Sequence, residues 1–349
     1  MTFHPVRVAL SRHIRTLPSR PRVHSICISC TNNNYNVTIQ PSPNPISLSK
    51  PLSPAPFPKA SYSTRSRTPQ PTAPVERDIE MAESTGLVAK SGIELLTFGT
   101  PNGYKASVLL EELKEAYGKE YTWQSINILN NVQKEPWFLA INPNGRIPAI
   151  VDHDRGGFPV FEGIAILGYL TRLYDPEHKF SFPVDSDDYT VAEEWIGWQH
   201  GGLGPMQGQA NHFLSFAKEK IPYATQRYVG ESERLYGVLD KRLEGRDFIV
   251  GPGRGKYSIA DISILGWANI AVFSGVNLDL FPNVKKWIAR CFERPAVQRG
   301  FAIPTASSLA NDELLKRRDS DPEFKKKSEE TAAFLKESQE KYGYKYTSP

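Results

Sequence analysis

Three short stretches of this 349-residue chain bring together residue types that could serve chemistry. Thr100-Pro101-Asn102 precedes an apolar-periodic segment that starts at Gly103, so a hydroxyl and an amide stand beside the positive end of a helix. Such a setting favours a thiolate over a thiol. Neither side chain is itself a nucleophile, and the only cysteine in the body of the chain, Cys291, lies on an apolar helical stretch with Trp287 and Ile288. A reactive sulfur must therefore come from a ligand. Ile147-Pro148 opens a hairpin strand. Either a cis bond turns the Ile147 peptide outward, free to pair with an extended peptide ligand as an added strand, or an ordinary trans proline enters an edge strand. Phe161-Glu162-Gly163 runs straight into the next helix, whose free N–H groups favour a carboxylate, and Glu162 adds a negative charge beside it. An α-amino acid group, with carboxylate and ammonium side by side, matches that pairing; the alternative is that Glu162 caps its own helix.

Other chemistries lack their residues. The body has no His-Glu-x-x-His, no paired Cys/His metal spacing and no Gly-x-Ser-x-Gly elbow. His200 and His212 are too far apart on one helix to share a metal, so no metal is expected. The run Gly251-Pro252-Gly253-Arg254-Gly255-Lys256 invites a phosphate-loop reading, but Val250 stands where the first glycine should be and Tyr257 replaces the hydroxyl residue, so it reads as a plain loop. Cys27-Ile28-Ser29-Cys30 has redox spacing without a preceding strand or a following helix, and reads as accidental.

The elements that position these residues follow from periodicity. Ile93 to Phe98 reads as a buried strand, Val108, Leu109, Leu113 and Tyr117 as a helix stopped by Gly118, and Tyr121 to Leu129 as a second strand. Trp137, Phe138 and Ile141 suggest a short helix before the turn Asn142-Pro143-Asn144-Gly145. Ile147 to Val151 and Pro159 to Phe161 form a hairpin about Asp154-Arg155-Gly156-Gly157, and Ile164, Leu167, Leu170 and Tyr174 share the face of a helix closed by Asp175-Pro176. A right-handed βαβ unit joined to a ββα unit on one small sheet satisfies that order. Past a polar hinge at Asp185 to Asp188 only helical patterns continue, to about Phe301, with Gly201, Gly202, Gly204 and Pro205 expected to bend or break the first long helix. A second helix runs from near Pro222 to near Gly245, and Ser258-Ile259-Ala260-Asp261 reads as a capping box opening a buried helix. From about Ser307 alternating charges with few apolar anchors predict a frayed or solvent-exposed helix.

Composition divides the chain. With 40% hydrophobic and 23% charged residues it is an ordinary globular sequence of about two domains, and it has no apolar run long enough to span a bilayer. The net charge of +4 conceals a split: residues 1 to 75 carry seven Arg, two Lys and no Asp or Glu, leaving about −5 for the rest. The folded part thus gives no support to nucleic-acid binding. The first 75 residues also hold 13 of the 28 prolines and should be disordered. Arg7, Arg12, Arg15, Arg20 and Arg22 among small and apolar residues have the character of a mitochondrial transit peptide; translation from Met81 would instead give a cytosolic protein.

Thr100-Pro101-Asn102-Gly103-Tyr104-Lys105, Asn142 to Ile150 and Phe161-Glu162, followed by Gly201 to Phe213, Ile221-Pro222-Tyr223, Arg234-Leu235-Tyr236 and Tyr257 to Asp261, resemble the glutathione S-transferase family over about residues 92 to 303. The resemblance is nearest the fungal nitrogen-regulator-like group and the bacterial Nu class. It implies an α/β thioredoxin-like amino-terminal domain that binds glutathione (residues 90–177), an all-α carboxyl-terminal domain (188–303) that lines the second-substrate pocket, and a homodimer, with a basic leader (1–80) and a charged tail (304–349). It further implies that Asn102, with Thr100 near it, faces the glutathione sulfur. Ile147, before cis Pro148, would pair its backbone with the cysteinyl unit, Glu162 and the Gly163 amide would hold the γ-glutamyl end, and Gln133 and Arg146 would lie near the glycyl carboxylate. The family usually has Ser or Thr where this chain has Gly163, so one hydroxyl hydrogen bond is lost and weaker glutathione binding is expected, by about tenfold or more. The activity implied is transfer of glutathione, as thiolate co-substrate, to a small electrophile. The alternatives are glutathione-dependent disulfide or peroxide reduction, and a non-catalytic regulatory module.

Overall fold

The computed structural model describes residues 27–31, 34–38 and 86–343. The first two segments, β1 (Cys27–Thr31) and β2 (Asn34–Thr38), pair antiparallel, so the expected disorder of the leader does not extend to these ten residues. The rest of the leader lies outside the described residues. Cys27 to Cys30 falls on the first of these strands rather than in unstructured chain.

In the body, β3 (Ile93–Thr97) leads into α1 (Gly103–Tyr117), β4 (Tyr121–Ser125), α2 (Pro136–Ile141), the hairpin β5 (Ala149–Asp152) and β6 (Phe158–Phe161), and α3 (Gly163–Tyr174). The sheet order is β4-β3-β5-β6, with β3 parallel to β4 and antiparallel to β5. This is the thioredoxin-like βαβ-ββα arrangement. Strand alternation divides the side chains between two faces: Ile93, Leu95 and Ile150 pack with Leu109, Leu113, Ile166 and Leu170 of α1 and α3, whereas Leu96, Ala149 and Val151 meet Phe138 and Ile141 of α2. β4 is shorter than its sequence suggested. Asn127 accepts a hydrogen bond from the Leu129 amide and Asn131 takes φ +59°, so local side-chain bonding turns the chain where apolar alternation would have continued it.

The second half is helical: α4 (Asp187–Trp198), α5 (Gly204–Asn211), α6 (Pro222–Arg242), α7 (Ile259–Ala268), α8 (Pro282–Phe292), α9 (Pro295–Phe301), α10 (Asn311–Ser320) and α11 (Pro322–Tyr342). The expected break before Pro205 takes the form of a π-helical turn, Gln199–Leu203, which absorbs the missing proline donor without ending the rod. The glycine-rich loop is structural: Lys256 Nζ donates to the carbonyls of His178 and Ser181 at 2.8 and 2.6 Å. The charged tail is more ordered than its composition implied, because Phe334 and Leu335 are half-buried and Ser338 is buried.

The two halves of the body are locked together along α1 and α9. Arg294 makes a bidentate pair with buried Glu112 (2.6 and 2.7 Å), Arg299 bridges Glu111 and Glu115, and Ser107 Oγ donates to the Gly300 carbonyl at 2.7 Å. α7 is fixed by the capping box at Ser258 and Asp261. The Asp261 carboxylate, fully buried, also accepts from Trp287 Nε1 at 2.8 Å and the Ile249 amide at 3.1 Å. Burial still pushes its carboxyl up to about 6 from 3.8. A carboxyl raised on folding stabilises fully below pH 3.8 and loses that contribution as pH rises through about 6. Asp261→Ala should therefore cost about 3 kcal/mol in chemical denaturation, the scale of three buried donors left unpaired. Asp261→Asn should flatten the dependence of the thermal midpoint on pH between 4 and 6.

Candidate functional site

A cavity of about 470 Å³ opens at the end of the sheet, against the start of α5 and the end of α7, and Asn102, Arg146, Ile147, Pro148, Glu162 and Gly163 all line it. Six of the eight residues singled out by sequence thus converge. A larger cavity of about 610 Å³ lies among α8, α9 and α10 and contains none of them.

Asn102 is aimed from the opposite half of the body. Its Oδ1 accepts a hydrogen bond from Trp267 Nε1 at 3.2 Å. An indole N–H only donates, so the atom facing it must be the amide oxygen, and the Asn102 NH₂ group is left to donate into the cavity. Trp267 is in turn held by buried Gln207, which donates to its carbonyl at 2.9 Å and accepts from Tyr236 at 3.1 Å. The approach needs Gly266, because a Cβ there would stand 2.4 Å from the Pro101 carbonyl oxygen. Thr100 departs from its expected role. Its Oγ1 accepts from the Gly103 amide at 3.1 Å, capping α1, and Thr100 does not line the cavity. A hydroxyl three residues before a helical N–H is captured by the nearest orphan donor.

The Ile147–Pro148 bond is cis, and strand pairing of β5 with β6 begins only at Ala149, beyond Ile147. The preceding turn is braced from inside: Asn142 Nδ2 donates to the Arg146 carbonyl at 2.6 Å and Lys134 Nζ to the Gly145 carbonyl at 2.7 Å. Gln133 is not in the cavity. It is buried, its Nε2 is spent on the Ile128 carbonyl at 3.4 Å, and its Oε1 has no partner among the described residues.

Glu162 has φ +69° and ψ +123°, backbone that a non-glycine residue holds at a cost of about 1–3 kcal/mol. The strained peptide starts α3 abruptly: the first intrahelical bond joins the Ile166 amide to the Glu162 carbonyl at 2.9 Å, leaving the amides of Gly163, Ile164 and Ala165 ahead of it. Glu162 does not cap this helix with its side chain. Its carboxylate is turned to the rim, 3.7 Å from His200 Nε2 and 3.4 Å from Asn144 Nδ2.

Among the polar residues lining the cavity that sequence reasoning did not assign to the site are Lys105 and Gln199. Lys105 is only 2% exposed, and its Nζ donates to Gln199 Oε1 at 2.6 Å. Burial brings its ammonium down to about 7, with the nearby Glu162 charge opposing the shift. The signal was present: Lys105 stands three and four residues before Val108 and Leu109, on the apolar stripe of α1. Gln199 gave none, since it enters through the π-helical turn. Cys291 is fully buried and burial raises its thiol well above the usual range, which removes it as a nucleophile.

A thioredoxin-like sheet with a cis-proline loop and a strained helix start, backed by an all-helical half, defines a two-domain thioredoxin-like and all-α fold. Residues 91–172 match the glutathione S-transferase N-terminal domain and residues 211–295 the glutathione S-transferase C-terminal domain. The chain is 40% identical over 208 residues to the disulfide-bond oxidoreductase YfcG of Escherichia coli, covering 58% of this chain and 92% of that protein. Among solved structures it is similar to a glutathione transferase homolog from Lodderomyces elongisporus with two glutathione molecules per subunit (40% identity, TM-score 0.57, 61% of this chain and 99% of the other). It is also similar to the nitrogen regulation fragment of the yeast prion protein Ure2p (31% identity, TM-score 0.56, 61% and 97%). The chain belongs to the glutathione S-transferase family.

Gly266→Ala should lower stability by about 1–3 kcal/mol in urea denaturation by forcing α7 away from Pro101. Gly197→Ala, with open space around its Cβ position, should be neutral or slightly stabilising.

Proposed function

We propose that the cavity binds glutathione and that the chain is a glutathione transferase, holding the tripeptide sulfur as a thiolate for attack on a small electrophile. The observation that carries this reading is the Asn102 amide, fixed by Trp267 so that its donor side faces a cavity whose other end is the bare start of α3. Bound glutathione supplies the nucleophile. The residues of the chain supply its surroundings: the Asn102 NH₂ donates to the sulfur, the Ile147 backbone lies beyond the strand ladder for pairing with the cysteinyl unit, the α3 amides face the γ-glutamyl carboxylate, Glu162 its ammonium, and Arg146 the glycyl end.

The magnitudes agree. Lowering a thiol pKa by about two corresponds to ~2.7 kcal/mol. One hydrogen bond to a charged group contributes about 1.5–3 kcal/mol, and the start of α1 about 0.3–1, so Thr100 is not needed. Reduction of a glutathione mixed disulfide is the second reading, favoured by the 40% identity to a protein named a disulfide-bond oxidoreductase. In such an exchange a glutathione thiolate attacks the glutathionyl sulfur of the mixed disulfide, forming glutathione disulfide and releasing the other half as a thiolate, so every sulfur arrives with a ligand, which suits a body whose described cysteine is buried. Pairing of two copies as a homodimer and delivery to mitochondria by the acid-free, arginine-bearing leader belong to the same proposal; mass measurement of the mature protein in solution and sequencing of its amino terminus test them.

The protein should be retained on immobilised glutathione and turn over a chromogenic aryl halide or a glutathione mixed disulfide. Retention without turnover of either would contradict the enzymatic reading in favour of a regulatory one. Asn102→Ala should lower kcat/KM about 10- to 100-fold, and Trp267→Phe, which keeps the ring but loses the donor, severalfold. Thr100→Val should reduce stability by about 1 kcal/mol while changing the rate less than threefold.

A further inference from the structure

Lys105 is a buried basic group whose one carboxylate neighbour, Glu162, is not close enough to pair with it. Its side chain is 2% exposed, its hydrogen-bond partner is the neutral amide of Gln199, and the nearest carboxylate, Glu162, is turned away toward Asn144 and His200. Among the described residues no ion pair involves Lys105. Burying an ammonium this way is costly unless something negative joins it. One Nζ proton goes to Gln199, which leaves two donors. A Cβ on Gly163 would stand 3.3 Å from Lys105 Cδ and 3.9 Å from Nζ, so the ammonium lies directly under the first residue of α3. Because residue 163 has no side chain, nothing separates that ammonium from the anion-seeking end of the helix. Two positive poles, one formal and one dipolar, therefore meet at one wall of the cavity.

We propose that Lys105 is a specificity-determining residue of this site, its ammonium donating to the α-carboxylate of the γ-glutamyl unit in the space that Gly163 leaves open. The inference rests on the glutathione reading of the same cavity and goes beyond it by assigning the carboxylate a cation of the chain's own. Lys105 thereby takes over the donor role that a hydroxyl on residue 163 would otherwise fill. Gln199 positions it, accepting one proton and directing the others toward the helix start. A carboxylate arriving there favours the charged form of a group that burial has brought down to about 7. A site built around a charged donor discriminates strongly against a ligand lacking the matching group.

The test compares two ligands on the full chain by calorimetric titration: glutathione, and 4-aminobutanoyl-cysteinylglycine, which is glutathione without the α-carboxylate. The wild-type chain should prefer glutathione at least 30-fold. Lys105→Met should weaken glutathione binding 10- to 50-fold, change binding of the decarboxylated ligand less than twofold, and so collapse the preference to a few-fold. Gly163→Ser added to Lys105→Met should recover part of the preference. As a variant that does not depend on the folding of Lys105→Met, Gly163→Asp puts a carboxylate beside the ammonium from within the chain and should weaken glutathione at least tenfold more than it weakens the decarboxylated ligand. If Lys105→Met weakens both ligands equally, or neither, the role of Lys105 is overturned while the glutathione reading stands. If the wild-type chain takes up neither ligand at millimolar concentration, the glutathione reading itself fails and the inference with it.

Discussion

One neutral hydrogen bond, from the Trp267 indole to the Asn102 amide oxygen, is the contact on which the proposed chemistry depends. Asn102 belongs to the sheet domain and Trp267 to the helical domain, so the direction of the one donor aimed at the reacting position is set by how the two domains dock. That docking is held elsewhere, by the carboxylate and guanidinium pairs between α1 and α9 and by the glycine at position 266 that lets α7 touch the Pro101 carbonyl. An asparagine on a surface turn has two amide orientations of similar energy. Supplying it with a partner that can only donate removes one of them.

The other end of the cavity works by charge. The strained Glu162 peptide joins β6 to α3 within one residue, which leaves three amides ahead of the first intrahelical bond with Gly163 at the cavity wall, and the Glu162 carboxylate stands at the rim beside His200 and Asn144. Lys105 and Gln199 lie beneath. The result is a small region in which acceptors are scarce and donors abundant, next to a rim carboxylate. Such a region suits a zwitterionic amino acid end better than a simple anion. The Asn102 end, by contrast, has a neutral donor and the start of α1. In the proposed binding mode, specificity and reactivity are therefore handled by different residues on different elements.

Much of this was legible in the sequence, for reasons that can be traced. Short apolar strands, the Gly118 stop, the hairpin glycines and the Ser258 capping box each encode their own local structure, and the three donor-bearing turns announced themselves by their position between strand and helix. What was misread depends on direction rather than position. Thr100 sits in the right turn, but its oxygen accepts from the Gly103 amide and the residue does not line the cavity, and Gln133 is buried with its amide nitrogen on the Ile128 carbonyl. β4 ended early because Asn127 and Asn131 offered the backbone an alternative that hydropathy does not record. Lys105 was passed over because a lysine on an apolar stripe was absorbed into a helix pattern, and Gln199 because its entry requires a π-helical turn that no propensity predicts.

The central claim is that the chain provides a polarised cradle while the attacking sulfur arrives with the ligand. The most direct measurement is the ultraviolet difference absorbance of thiolate, recorded as a function of pH for glutathione mixed with the full chain minus the two components apart. A thiolate band that persists well below the titration range of free glutathione, and moves back toward that range in the Asn102→Ala variant, is the predicted result. A bound thiol that titrates as it does free in solution would contradict the account.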